Sequence, residues 1–251
     1  MNPFFEEVLA VTLRDWRKKK ALWKVLLMLI ALGLAVFLIG YGFGNLVSES
    51  FYAGSYASFF SFGFLVYFIL LIGITQGSDI IVDRGNFVKL MLVAPISKYS
   101  ILFGKTLSTL VMSLRSFLFL GLLFLFLNNE FSLFKVLLII IYCIFLILTG
   151  VALGLFVSTL SRDKKTAENL IGGVGFVVLF FSGVLFPVSA FPGVIQTFFK
   201  LNPLVYIVDL FRFLMIGARE FSLSTDIAVS LAFGLFVIFF GVYQFDRNLR
   251  R

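Results

Sequence analysis

Residues Leu133 to Thr159 read LFKVLLIIIYCIFLILTGVALGLFVST. This apolar run exceeds the ~20 residues that a helix needs to cross ~30 Å of hydrocarbon. Five further runs of membrane length lie outward from it: Trp23 to Phe43, Ala53 to Gln76, Ile101 to Leu127, Asn169 to Phe186 and Ile227 to Tyr243. The expected fold is therefore all-α and integral to the membrane, with six transmembrane helices forming a single domain over 1–251. What remains between the spans is too short for a soluble domain.

Composition agrees. Of 251 residues, 61% are hydrophobic, 14% are charged and 35 are phenylalanine, and the mean hydropathy is +1.07. A soluble domain of this size needs more polar residues to cover its surface. The net charge of +8 does not point to nucleic acid, because the basic residues gather at the ends of apolar runs instead of forming one patch. Cys143 is the only cysteine, so no intrachain disulfide forms, and the absence of histidine removes the usual general base and the commonest metal ligand.

Charge also sets the orientation. Arg14, Arg17, Lys18, Lys19, Lys20 and Lys24 precede or begin the first span, whereas the next loop carries Glu49 and no basic residue. Cytoplasmic loops are the ones enriched in Lys and Arg, so the N-terminus is expected inside. The alternation continues with Arg84, Lys89, Lys98 and Lys105, then Arg162, Lys164 and Lys165, then Arg247, Arg250 and Arg251. Both termini are thus expected in the cytoplasm of a multi-pass protein in the plasma or inner membrane.

Before the first span, within residues 1–20, Phe5, Val8, Leu9, Thr12, Leu13 and Trp16 recur at helical spacing, while Glu6, Glu7, Arg14, Arg17 and Lys18 fall elsewhere. That pattern predicts an amphipathic helix lying flat at the cytoplasmic interface, started by Asn2-Pro3. It serves either as a membrane anchor or as a connecting helix that also meets a cytoplasmic partner. In the loop over 78–98, Asn86 caps a short expected helix whose Phe87, Leu90, Met91 and Ala94 share one face and which Pro95 stops. That stripe seeks either the neighbouring helix ends or a separate protein.

Three features resemble other chemistry. Gly104-Lys105-Thr106 matches the end of a phosphate-binding loop, but Tyr99 stands where its first glycine belongs and the intervening residues form no glycine-rich nest, so nucleotide binding is rejected. Asp79 and Asp83, one helical turn apart, suit a magnesium–diphosphate site, yet no second acidic pair accompanies them. Arg115, midway along the third run, is the intramembrane polar candidate, since a charge there costs about 3 kcal/mol or more and usually faces protein or water. Snorkelling, or a bond to carbonyls or to Gln76, explains it equally well. Gly150-x-x-x-Gly154 and Gly40-x-x-x-Gly44 predict close helix approach.

Between Pro187 and Asp226 the chain stays apolar but is cut by Pro187, Pro192 and Pro203, and it carries Lys200, Asp209, Arg212, Arg219 and Glu220. A helix over Pro203 to Gly217 is ~22 Å long, too short to cross. Over 187–226 two short re-entrant helices are therefore expected, their broken backbone covered by protein or water. Asp209 and Arg212, at i and i+3, are expected to neutralise each other.

These residues resemble a known family. Phe181-Ser182-Gly183-Val184-Leu185-Phe186-Pro187-Val188-Ser189-Ala190-Phe191-Pro192, then Leu201-Asn202-Pro203-Leu204 with Asp209 and Arg212, are similar to the signature before the last span of ABC type-2 exporter permeases. Asp83-Arg84-Gly85, Leu92-Val93-Ala94-Pro95-Ile96-Ser97 and Gly104-Lys105 resemble that family's coupling segment. Asp83 departs mildly, since glutamate is frequent there. The resemblance implies a permease subunit that binds no cofactor itself and works with a separate ATPase carrying ATP and magnesium. It also implies a second permease copy, with a seam along spans one and five, and docking of Phe87, Leu90 and Met91 in the ATPase. Its cargo is expected to be hydrophobic or amphipathic: a drug, a lipid or a glycan-lipid. Two competing classes are an intramembrane lipid-modifying enzyme using Asp79 and Asp83, and a passive channel or scaffold that needs no ATPase.

Overall fold

The computed structural model describes residues 3–18, 56–82, 132–161 and 163–249, the single positions 33, 34, 38, 42, 100, 103 and 104, and the stretch 106–111. Among the described residues there are helices and turns and no strand. In chain order they form α1 (Pro3–Lys18), α2 (Tyr56–Val82), α3 (Leu133–Thr159) and α4 (Lys164–Phe181). A 3-10 turn (Val188–Ala190) then leads to α5 (Gly193–Leu201), α6 (Pro203–Ile216) and α7 (Leu223–Leu249).

Among the described residues three helices are long and apolar enough to cross a bilayer: Tyr56–Asp79 within α2, Leu133–Thr159 as α3, and Leu223–Gln244 within α7. They correspond to three of the six expected spans. Trp23 to Phe43 and Ile101 to Leu127 lie outside the described residues except at isolated helical positions and over 106–111.

The remaining run, expected over Asn169 to Phe186, is corrected at both ends. Its helix starts at Lys164 because the Asp163 carboxylate caps it, accepting from the Thr166 amide at 3.1 Å. It stops at Phe181 because Gly183 takes the left-handed conformation (φ 68°), which glycine adopts without a Cβ penalty. The last helix also starts earlier than Ile227: Ser222 Oγ accepts from the Thr225 amide at 3.3 Å and helix begins at Leu223, so Asp226 belongs to the helix and not to the preceding loop. Asp79 likewise lies on α2, which runs on to Val82, and not in a loop starting at residue 78.

Glycines let α2 and α3 pack with their backbones nearly touching. A Cβ at Gly77 would collide with the carbonyl of Val151, one at Gly154 with the carbonyl of Ile74, and one at Gly150 would lie 2.8 Å from the Leu70 carbonyl oxygen. The Gly150-x-x-x-Gly154 pattern is thus an intrachain seam, as small residues permit in lipid; the Gly40-x-x-x-Gly44 pattern lies outside the described residues. Beside the seam, Ile69, Leu70, Leu146, Ile147 and Val208 are completely or almost completely buried in one core. On α7, Gly234 accommodates the Phe145 ring and Gly241 the backbone of Ala152, which brings the last span onto α3.

The outward faces are apolar too. Leu133, Phe134 and Leu137 on α3, and Leu235, Phe236 and Phe239 on α7, are exposed. Such faces suit lipid.

Helix α1 has two apolar sides. Val8, Val11 and Thr12 are buried; a Cβ on Gly104 would meet Val11, and the Thr12 hydroxyl, 2.7 Å from the Val8 carbonyl, also reaches the Gly104 carbonyl at 3.1 Å. Phe5, Leu9 and Leu13, spaced one turn apart, point away and are exposed. A helix therefore covers most of the expected segment, with one apolar side taken by the chain itself. Of Trp16 the structure describes the helical backbone only.

Candidate functional site: the broken-helix cap

Where α4 ends, the backbone leaves helical geometry among apolar neighbours, and carbonyls that would have been paired inside a helix need other donors. Four of the next five are supplied from distant parts of the chain. Asn202 Nδ2 donates to Phe181 O at 2.7 Å. Arg212 Nη2 donates to Gly183 O at 2.6 Å and to Val184 O at 3.3 Å. The Tyr56 hydroxyl donates to Leu185 O at 2.8 Å.

Each donor is placed by local sequence. Asn202 is the N-cap of α6, its Oδ1 accepting from the Leu204 amide at 3.0 Å, and Pro203 takes the first helical position, where a missing N–H costs nothing. Pro187 and Pro192 instead occupy the N-cap positions of the 3-10 turn and of α5. Gly217 ends α6 in the left-handed conformation (φ 72°). Two short helices, α5 and α6, lie within 187–226, and Gly183, Pro187, Pro192, Pro203, Asp209 and Arg212 stand in or beside them.

Arg212 is the centre of that cap. It is 2% exposed, its Nε donates to Phe59 O at 3.2 Å, and its guanidinium carbon lies 3.5 Å from the centroid of the Phe59 ring. Gly63, one turn on from Phe59, leaves the room: a Cβ there would stand 2.5 Å from Nη2 and 3.0 Å from Val184 O. A planar fork that donates in several directions and stacks on an aromatic face is what arginine offers and lysine does not.

Asp209 and Arg212 act on each other's charge, and each is also bonded elsewhere. Asp209 Oδ2 accepts from the amides of Glu220 and Phe221 at 2.8 and 3.0 Å, while Arg212 points to the carbonyls of α2 and the break. Carbonyls freed at Gly183 and Val184 compete for the guanidinium, and amides of the turn after α6 capture the carboxylate. The two charges still act through space: burial pushes the Asp209 carboxyl above its ordinary range, while the two amides, Arg212 and Arg219 oppose that rise. Glu220 Oε2 accepts from the Ser189 amide at 2.9 Å, and burial likewise raises the Glu220 carboxyl. A second anchor is the Tyr142 hydroxyl of α3, which donates to Ile207 O at 2.9 Å.

Phe59, Gly63, Tyr56 and Tyr142 were not singled out from sequence. The one signal available was an aromatic–glycine arrangement opening the second span, which resembles any apolar run. The coupling residues Asp83, Arg84, Gly85, Phe87, Leu90, Met91 and Pro95, and the intramembrane candidate Arg115, lie outside the described residues. Gly104, from the rejected nucleotide motif, is helical and packed against α1. Among the described residues no group of three or more His, Cys, Asp or Glu side chains is placed to hold a metal ion.

The arrangement is that of a multi-pass helical membrane protein. A family profile described as ABC-2 type transporter matches residues 6–216, and the chain belongs to that family, whose members normally work with an ABC ATPase partner. It is also similar to the protein named "Putative transport permease ycf38" of Cyanophora paradoxa, 29% identical over 163 residues, covering 64% of this chain and 56% of that protein. The chain thus spans a little over half the length of that relative.

Proposed function

We propose that this chain is the membrane-spanning permease subunit of an ATP-binding-cassette exporter. It moves a hydrophobic or amphipathic substrate out of the cytoplasm on ATP hydrolysed by a separate subunit. The observation that carries this reading is the family match over 6–216, which takes in both the coupling segment and the cap.

The fold supplies a mechanical route. Helix α2 is unbroken over its 27 residues, about 40 Å at 1.5 Å per residue. At one end Phe59 and Gly63 hold Arg212 and the cap; at the other the chain runs into Asp83-Arg84-Gly85 and the coupling segment. An ATPase that pushes Phe87, Leu90 and Met91 therefore displaces a rod whose far end is bonded to the broken helix. Nucleotide biases a two-state equilibrium between inward- and outward-facing forms.

In this reading both termini and the coupling segment face the cytoplasm of a plasma or inner membrane, six helices cross it, and residues 187–226 face outward. A second permease copy completes the pathway. Helix α4 supports that partnership, because Phe176, Val177 and Phe180 are exposed and Gly172 and Gly173 open onto free space.

Co-purification with the ATPase subunit tests the proposal, comparing wild type with Leu90→Asp and Met91→Asp. The variants are expected to insert normally and to lose the ATPase. Normal insertion with normal ATPase binding would overturn the coupling assignment.

A further inference from the structure

Helices α5 and α6 are both short and apolar, yet they meet different surroundings. Every residue of α6 from Leu204 to Arg212 is buried. In α5 only Phe199 is buried, while Val194, Phe198 and Leu201, at i, i+4 and i+7, are 75%, 69% and 76% exposed. Leu133 and Phe134, on a helix of membrane-crossing length, are exposed to the same degree, 79% and 70%.

At about 100° per residue, α5 divides into three sectors. Val194, Phe198 and Leu201 form the first. Phe199 marks the second, which faces the cap: its ring stacks on Phe191 at 4.9 Å, and the neighbouring Gln196 Nε2 donates to Phe191 O at 2.8 Å. The Tyr206 hydroxyl ties the end of α5 to α6, donating to Lys200 O at 2.9 Å. Gly193, Thr197 and Lys200 form the third sector, which is exposed and carries a positive charge and no acidic residue. A helix of uniform surroundings has no reason to sort its residues in this way.

The place of α5 in the fold selects what covers the first sector. Arg212 of α6 bonds Phe59 in the first turn of α2, and Ile207 of α6 bonds Tyr142 in the first half of α3. The starts of α2 and α3 therefore lie at one end of the bundle, and α5, joined to α6 through Asn202, lies at that end. Leu133 and Phe134 begin α3 there, so the exposed stripe of α5 stands where the apolar surface of the spans meets the edge of the bilayer. At about 14 Å, α5 is too short to cross. A short helix with one apolar and one cationic sector seats along a membrane surface, and its lysine reaches up to the phosphates.

We propose that α5 is a membrane-surface helix whose partner is bilayer lipid: Val194, Phe198 and Leu201 sit among acyl chains while Lys200 stands at the level of the headgroups. The two short helices then have opposite surroundings, α6 within the protein and α5 between the cap and the lipid. In that position α5 shields the broken end of α4 from the hydrocarbon, with Phe199 turned inward and the aliphatic stripe outward. The inference rests on the membrane-spanning fold and is independent of ATPase docking and of a second permease copy.

The experiment uses the whole chain with Cys143→Ala, reconstituted in phosphatidylcholine vesicles and carrying one nitroxide, at Phe198→Cys, Thr197→Cys or Lys200→Cys. Relaxation of the label by dissolved oxygen, by a water-soluble nickel chelate and by a nickel-chelating lipid is compared. The label at 198 is expected to be reached several-fold better by oxygen than by the soluble chelate, and the order is expected to reverse at 197. The label at 200 is expected to respond most to the nickel-chelating lipid. Access of the soluble chelate at 198 equal to that at 197 would overturn the proposal by placing the stripe in water. Poor access of all three agents at 198 would also overturn it. Spectral broadening that disappears on dilution with unlabelled chain would then assign the stripe to a second copy, and its absence would assign it to another part of the same chain.

Discussion

The guanidinium of Arg212 stacks on the ring of Phe59 at 3.5 Å while its Nε donates to the carbonyl of the same residue at 3.2 Å. One residue of α2 therefore holds the arginine by ring and by backbone, and the arginine's remaining donors close the broken end of α4.

Removing that side chain leaves the carbonyls of Phe59, Gly183 and Val184 without this donor. Each buried acceptor so orphaned costs ~1–3 kcal/mol. Arg212→Ala is expected to lose about 3 kcal/mol or more, and Arg212→Lys to recover only part, because an ammonium cannot donate as a fork. Phe59→Leu keeps the backbone acceptor and loses the ring, so a smaller loss of about 1–2 kcal/mol is expected. Thermal unfolding in detergent ranks the three; equal stability of Arg212→Lys and wild type would contradict the geometry.

At the α2–α3 seam, a methyl group at Gly154 collides with the Ile74 backbone, which cannot move aside as a side chain could. Gly154→Ala is expected to destabilise by about 1–3 kcal/mol, the usual cost of overpacking. Gly172→Ala, which opens onto free space, is expected to leave the single chain's stability unchanged or raise it slightly. The same thermal assay compares them directly.

On α1 the two apolar sides should report different surroundings. A spin label at Leu9→Cys, on the exposed stripe with Phe5 and Leu13, is expected to be reached by oxygen dissolved in lipid. One at Glu6→Cys, on the polar face, is expected to be reached by a water-soluble relaxing agent. Equal access to both agents at both sites would exclude an interfacial position.

Asp163 fixes the start of α4. Its bonds to Thr166 hold the carboxyl below the usual aspartate range. A depressed carboxyl stabilises above the unfolded-state value, and that contribution is lost as pH falls through the folded-state value. Asp163→Ala should therefore shorten α4 at its first turn, measurable as faster amide exchange at Ala167, and remove that part of the acid-side dependence. An unaltered exchange rate at Ala167 would show that the cap does not hold the helix.

Much of the fold was legible in the sequence because lipid demands long, simple runs. Leu133–Thr159 was read to its ends, and α2 and α7 to within a few residues. The run Asn169 to Phe186 misled because apolar residues continue past the end of the helix: hydropathy reports the solvent, not the backbone conformation, and Gly183 alone marks the break. The prolines between 187 and 203 marked the region of the cap. The source of its hydrogen bonds was hidden, since Phe59 and Tyr56 lie far away in the chain and no periodicity links them to Arg212. The i, i+3 spacing of Asp209 and Arg212 suggested a mutual pair, but it carries no sign of the carbonyls and amides that each residue also bonds.

The break after α4 also bears on biogenesis. Gly183 and Arg212 are 29 residues apart, so during synthesis the freed oxygens emerge well before the residue that will bind them. Until the ribosome has delivered Asn202 and Arg212, the nascent chain holds an unfinished end that bare lipid cannot solvate. A chain stalled within that interval should remain with the insertion machinery or be degraded, which makes completion of the cap a checkpoint for release into the bilayer.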